Sequence, residues 1–155
     1  MRLISEAISY GKSKLGYETI REYQKQSIEA YLSGRDVFIS APTGAGKSLT
    51  FEIAPFVLDF MRFGEKNFIE TVVVVVVPLV SLMKDQVTSL KSKGISASYV
   101  GDDCSKEQLQ DILDGKFNIV FGSPEALLNN HRSFSPTEKQ CQSSLHRRKP
   151  LHSKM

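Results

Sequence analysis

Residues 41–48, APTGAGKS, set two glycines, a lysine and a serine at a spacing suited to holding phosphate groups. Gly44 and Gly46 allow the backbone to curl until its N–H groups point inward at phosphate oxygens. Lys47 can reach the β- and γ-phosphates of a nucleotide, and the Ser48 hydroxyl can ligate Mg²⁺. Thr43, Gly44, Ala45, Gly46, Lys47 and Ser48 are therefore the candidate phosphate-binding residues, although the pattern starts at Ala41 instead of glycine. The alternative is a chance glycine turn ahead of a helix. Holding a phosphate is also not splitting it, because hydrolysis needs one carboxylate for the metal and another to orient water.

Such a loop works only when a strand delivers it and a helix follows it. Residues 36–41, DVFISA, have the character of a buried strand, and 47–62 have helical length and composition. Pro55 lies too deep in that helix to be neutral, so a kink or a break is expected there. Upstream, 21–33 (REYQKQSIEAYLS) carry apolar residues at helical spacing and stop at Gly34. Downstream, TVVVVVV (71–77) is β-branched without alternation, the pattern of a strand covered on both faces. Residues 79–94 predict an amphipathic helix that buries Leu82, Met83, Val87 and Leu90 and ends at Gly94. SASYV and NIVFG predict two more strands, with a polar helix (105–115) between them. Strands and helices in that rhythm give an α/β layered fold on a parallel sheet.

Composition sets the outer bounds. The 155 residues are 41% apolar and 24% charged, which suits one globular domain with its own core. A net charge of +3 permits nucleic acid as a partner without arguing for it. Cys104 and Cys141 are too few for a metal site and are expected as free thiols. The first residues lack the apolar centre of a secretory signal, and TVVVVVVPLV is about half the length that crosses a bilayer. The expectation is an intracellular protein with no membrane partner.

Several segments in succession, GYETIREYQKQSI, APTGAGKS, VVPLVSLMKDQV and GSPEALL, resemble the first motor domain of RecQ-type DNA helicases over residues 10–130. The resemblance implies a RecA-like phosphate-loop fold, ATP and Mg²⁺ as ligands, single-stranded DNA as a partner and a nuclear location. It also implies roles for particular residues. Tyr17 would pack on adenine, Arg21 would lie against the base or near the phosphates, and Gln24 would read the base edge; an aromatic ring and a guanidinium both stack on a purine. Otherwise Tyr17 caps a core, and Arg21 and Gln24 belong to a solvated helix face. Ser81, Lys84 and Gln86 would touch the strand's phosphates or sugars, with Ser123 and Glu125 in a second contacting loop, although Pro124 there can simply start a helix. Leu15 and Ile20 stand where the family usually has phenylalanine, which touches packing more than base reading.

The same resemblance shows what is lacking. These helicases carry both acids of hydrolysis in an Asp-Glu-x-His stretch, yet residues 126–155 contain no aspartate, and Glu138 is their one acid. Asp102 and Asp103 follow a strand, but GDDCS fits a helix cap through Asp103 or Ser105 better than a metal site. From residue 133 onward the composition turns basic and poor in aliphatics, as in a disordered tail. The expectation is an incomplete motor domain (1–132) plus that tail (133–155), holding ATP and DNA without hydrolysis. The alternative is a non-catalytic protein that binds nucleotide, DNA or a full-length helicase.

Overall fold

Helix α1 (Arg2–Lys14) opens the computed structural model, which describes residues 2–65 and 70–129. Ala7 and Ile8 on one face of it, and Leu15 just past its end, are buried. That face lies against α4, and Gly11 marks the point of closest approach. A Cβ at Gly11 would stand 2.6 Å from Cγ1 of Ile53, which is itself fully buried. Helix α2 (Glu22–Leu32) follows and ends at Gly34, whose φ of +78° suits a residue without a side chain.

The helix after the phosphate loop is broken, as Pro55 requires. A four-residue α3 (Leu49–Glu52) stops at Ile53, and α4 (Ala54–Phe63) begins with Pro55 in its first turn, where the missing N–H costs nothing. The carboxylate of Asp59, buried on α4, accepts the backbone N–H groups of Glu70 (2.6 Å) and Thr71 (3.1 Å). This ties α4 to the segment that enters the sheet.

Three strands pair in parallel in the order β1-β3-β2: β1 (Val73–Val76), β2 (Ala97–Val100) and β3 (Ile119–Gly122). The crossovers are α5 (Val80–Ser92), which ends before Gly94, and α6 (Lys106–Leu113). A short α7 (Pro124–Asn129) follows β3. β3 is central and buried along its whole length, as its apolar sequence demands. The main core gathers Ile53, Val57, Met83, Leu90, Ile119 and Phe121 between the sheet and the helices.

Three expectations need correction. DVFISA forms no strand: residues 35–42 have no regular structure, and Phe38 is 94% exposed. A strand exists only when a neighbour completes its ladder, and here Val37 and Ile39 are parted from Val73 of β1 by a cavity of about 210 Å³. The run TVVVVVV is shorter as a strand and is covered on one face only. Val74 and Val76 are 50% and 57% exposed, on the edge strand of the sheet. Leu82 is also exposed, while Met83, Val87 and Leu90 are buried as expected. The tail expected at 133–155 lies outside the described residues.

Two consequences are measurable. Alanine at position 11 gains about 1 kcal/mol of helix propensity, but overpacking against the fully buried Ile53 costs about 1–3 kcal/mol. Gly11→Ala should therefore lower stability by about 1 kcal/mol in a denaturant titration. The open apolar edge at β1 should make the chain self-associate. Val74→Lys should raise the monomer fraction in sedimentation velocity.

Candidate functional site

The phosphate loop is shaped by its two glycines. Gly44 and Gly46 have φ of +80° and +83°, and a Cβ at Gly46 would also press to 2.9 Å from Nε2 of Gln24. The loop closes through the Ala45 N–H on the Pro42 carbonyl at 3.2 Å. The amides of Gly44, Gly46, Lys47 and Ser48 donate to no backbone carbonyl among the described residues. They are the donors that an anion would satisfy. Lys47 folds its ammonium back onto the carbonyls of Ala41 (2.7 Å) and Pro42 (2.8 Å), so a single cation sits against the curl of the loop. Thr43 is exposed, and Ser48 has helical dihedrals with a hydroxyl that does not cap α3.

Helix α2 holds this loop from behind. Tyr23 donates its hydroxyl to the Ala45 carbonyl at 2.6 Å, and Gln24 donates its amide to the Gly46 carbonyl at 2.7 Å. Oε1 of Gln24 in turn accepts the Arg21 N–H at 2.8 Å, which fixes the side-chain amide at both ends. Gln24 is accordingly 4% exposed. A cleft of about 640 Å³ opens beside the loop, with walls that include Arg21, Tyr23, Phe38, Pro42 and Ala45. Of the three residues expected at a base, Arg21 lines this cleft; Tyr17 and Gln24 do not.

Tyr17 belongs to a different cluster. Its hydroxyl donates to Glu52 Oε2 (3.3 Å), Lys93 donates to the same Glu52 oxygen (3.1 Å) and to the Tyr17 hydroxyl (3.0 Å), and the Lys93 ammonium lies 5.2 Å from the centre of the Tyr17 ring. Glu52 is buried, so the ammonium is its charge partner in a place of low polarity. Burial works against the Lys93 ammonium, but the bonds to Tyr17 and Glu52 outweigh it and raise its pKa. A lysine with a raised pKa stabilises the fold at neutral pH and loses that contribution only as pH climbs past its ordinary value of 10.5.

The second group of expected residues meets at the carboxyl end of the sheet. Val76 pairs with Gly122 and Val100 with Gly122, so the segments after all three strands leave from one edge. Ligands bind parallel sheets at that edge. Ser81 and Lys84 are exposed about a turn apart on α5, whereas Gln86 is half-buried on the other flank of the helix. Ser123 accepts the Ala126 N–H at 3.0 Å and so starts α7, with Glu125 exposed next to it. Asp103 pairs with Lys84 instead of capping α6; Ser105 is the cap, accepting the Gln108 N–H at 3.1 Å. No group of three His, Cys, Asp or Glu side chains able to hold a metal occurs among the described residues. Cys104 is a free thiol whose pKa burial pushes up.

Sequence reasoning missed Tyr23, Glu52 and Lys93. Only Glu52 carried a signal, as an acid amid an apolar helix. Its pairing can be tested by a cycle. Lys93→Met should cost about 1–3 kcal/mol in thermal or chemical unfolding, because it strands a buried carboxylate. Adding Glu52→Gln should restore most of that loss, since an amide needs no cation.

Known proteins resemble this chain over most of its length. A model of the DEAD/DEAH box helicase family matches residues 21–147. An ATP-dependent DNA helicase RecQ of Haemophilus influenzae is 34% identical over 128 residues, 80% of this chain and 19% of that protein. A probable ATP-dependent DNA helicase RecS of Bacillus subtilis is 34% identical over 115 residues, 72% of this chain and 21% of its own length. The chain thus spans about a fifth of the length of these relatives. A hypothetical ATP-dependent RNA helicase from Sulfolobus tokodaii shares the fold, with a TM-score of 0.56 at 22% identity over 82% of this chain and 36% of that one. Family match, phosphate loop and parallel sheet agree: this chain belongs to the DEAD/DEAH box helicases, and within that family it is similar to the RecQ type.

Proposed function

We propose that this chain binds ATP at residues 41–48 and single-stranded DNA at the carboxyl edge of its sheet, as the nucleotide-holding part of a RecQ-like helicase motor, and that these 155 residues alone do not turn ATP over. The observation that carries the reading is the loop itself: open amides at Gly44, Gly46, Lys47 and Ser48 around one lysine cation. Those groups suit a polyphosphate in number and charge. Arg21 offers a planar cation in the adjoining cleft for a purine, Gln24 acts on the base site through the loop it holds, and Tyr17 is bonded to Glu52 and Lys93 instead of lining that cleft.

A magnesium ion fits this site only through the nucleotide. Ser48 supplies one hydroxyl ligand, and phosphate oxygens and water would supply the rest. Bound there, the ion would neutralise phosphate charge. Loop amides, Lys47 and Ser48 bind ground state and transition state alike, which gives affinity without rate. Rate needs an oriented water and a second cation at the developing charge, and an arginine in that role contributes roughly a thousandfold or more. Residues 126–155 contain no aspartate to fill the part of the metal-binding acid. The open apolar edge at β1 favours, as a second reading, a non-catalytic role in which the chain joins a larger helicase.

The test is direct. Labelled ATP should bind the wild type and fail to bind Lys47→Ala, and unlabelled GTP should displace it less well than ATP. Phosphate release with Mg²⁺ and single-stranded DNA should stay at background for both proteins. DNA-stimulated release that vanishes in Lys47→Ala would overturn the claim that turnover is absent, and equal displacement by GTP would remove the base-reading role of Arg21.

A further inference from the structure

Lys84 is the cation best placed to meet a nucleic-acid backbone on α5, yet it is already engaged. Its ammonium lies 2.7 Å from Oδ2 of Asp103, in the turn after β2. The same carboxylate oxygen accepts the Tyr99 hydroxyl at 3.0 Å, and the ammonium stands 5.5 Å from the centre of the Tyr99 ring. Lys84 and Asp103 are 48% and 52% exposed, so the pair sits in solvent at the edge of the sheet where the strand is proposed to run. We propose that Asp103 is a built-in competitor for the phosphate, an anion that occupies Lys84 until a nucleic-acid backbone displaces it, and so sets the affinity and salt dependence of strand binding. The inference rests on the proposed strand site at α5.

The physical case is one of exchange. A phosphate that takes Lys84 replaces one oxyanion by another, so most of the attraction it gains has been given up by Asp103. The displaced carboxylate then remains within a few ångströms of the backbone and repels it. An exposed ion pair of this kind is weak, so it lowers affinity without closing the site. The bond from Tyr99 holds Asp103 in place, which keeps the competitor from swinging away into solvent. Because Lys84 alone contributes no net charge while it is paired, phosphate recognition is left to a chain of many phosphates that can meet several groups along the edge.

Asparagine at position 103 keeps an oxygen for Tyr99 and removes the charge, so it isolates the competition from the geometry of the turn. The experiment measures binding of a labelled single-stranded oligothymidylate to the purified full chain across a salt series, with melting curves to show that each variant folds. Asp103→Asn should tighten binding on the order of two- to fivefold and steepen the plot of log affinity against log salt by up to about 0.7, the yield of one more phosphate contact on a single strand. Lys84→Ala should weaken binding, and the gain from Asp103→Asn should be clearly smaller in the Lys84→Ala background, where only the repulsion of the carboxylate is left to lose. Asp102→Asn, which removes the neighbouring exposed charge, is the control and should change little.

Lys84→Ala that weakens binding, together with Asp103→Asn that changes nothing, would overturn the competition and leave the strand site standing. An equal gain from Asp103→Asn with and without Lys84, or the same gain from Asp102→Asn, would reduce the effect to general repulsion and also overturn it. If Lys84→Ala leaves binding unaltered, or no protein binds even at low salt, the strand site itself fails and the competition falls with it.

Discussion

A phosphate loop is a strained piece of backbone and needs something stiff behind it. In this chain the stiffness comes from a helix. The hydroxyl of Tyr23 and the amide of Gln24 each take one carbonyl of the loop, and the Arg21 N–H locks the Gln24 amide from its other end. Because the segment before the loop has no ladder to lie in, these bonds are what keep Gly44 and Gly46 in their left-handed turns and leave the neighbouring amides open. The proposed nucleotide site depends on that support.

The second ordering device is parallel register. Three strands that start together also end together, so the segments after Val76, Val100 and Gly122 must emerge side by side whatever their sequences. That is how Ser81, Lys84, Asp103 and Ser123, spread over forty-odd residues, share one edge. The crossover helices bury only one stripe each, which leaves the opposite stripe free to meet a ligand.

Much of this was legible because the elements are short and strongly marked. Gly34 and Gly94 stop helices where they should, and Pro55 breaks the helix at Ile53 for a local steric reason. Elements that depend on neighbours were less legible. DVFIS has the composition of a strand, but composition says nothing about whether a partner lies within hydrogen-bond reach. The valine run likewise promised two covered faces, and only one is covered. Helix α1 went unnoticed because Gly11 weakens its propensity, and its role as a contact point with Ile53 is visible only in three dimensions. The same holds for Lys93, which meets Glu52 across 41 residues of sequence.

Helix α5 runs between the sheet-edge cluster and the Tyr17 cluster. Lys84 lies near its beginning at the carboxyl edge of the sheet, and Lys93, just past its end, covers the ring of Tyr17. Nine residues of helix put them roughly 13 Å apart along one axis. Met83, Val87 and Leu90 pack the span between them into the core. One helix thus carries a cation at each end, and each is already paired with an acid from another part of the chain, Asp103 at one end and Glu52 at the other.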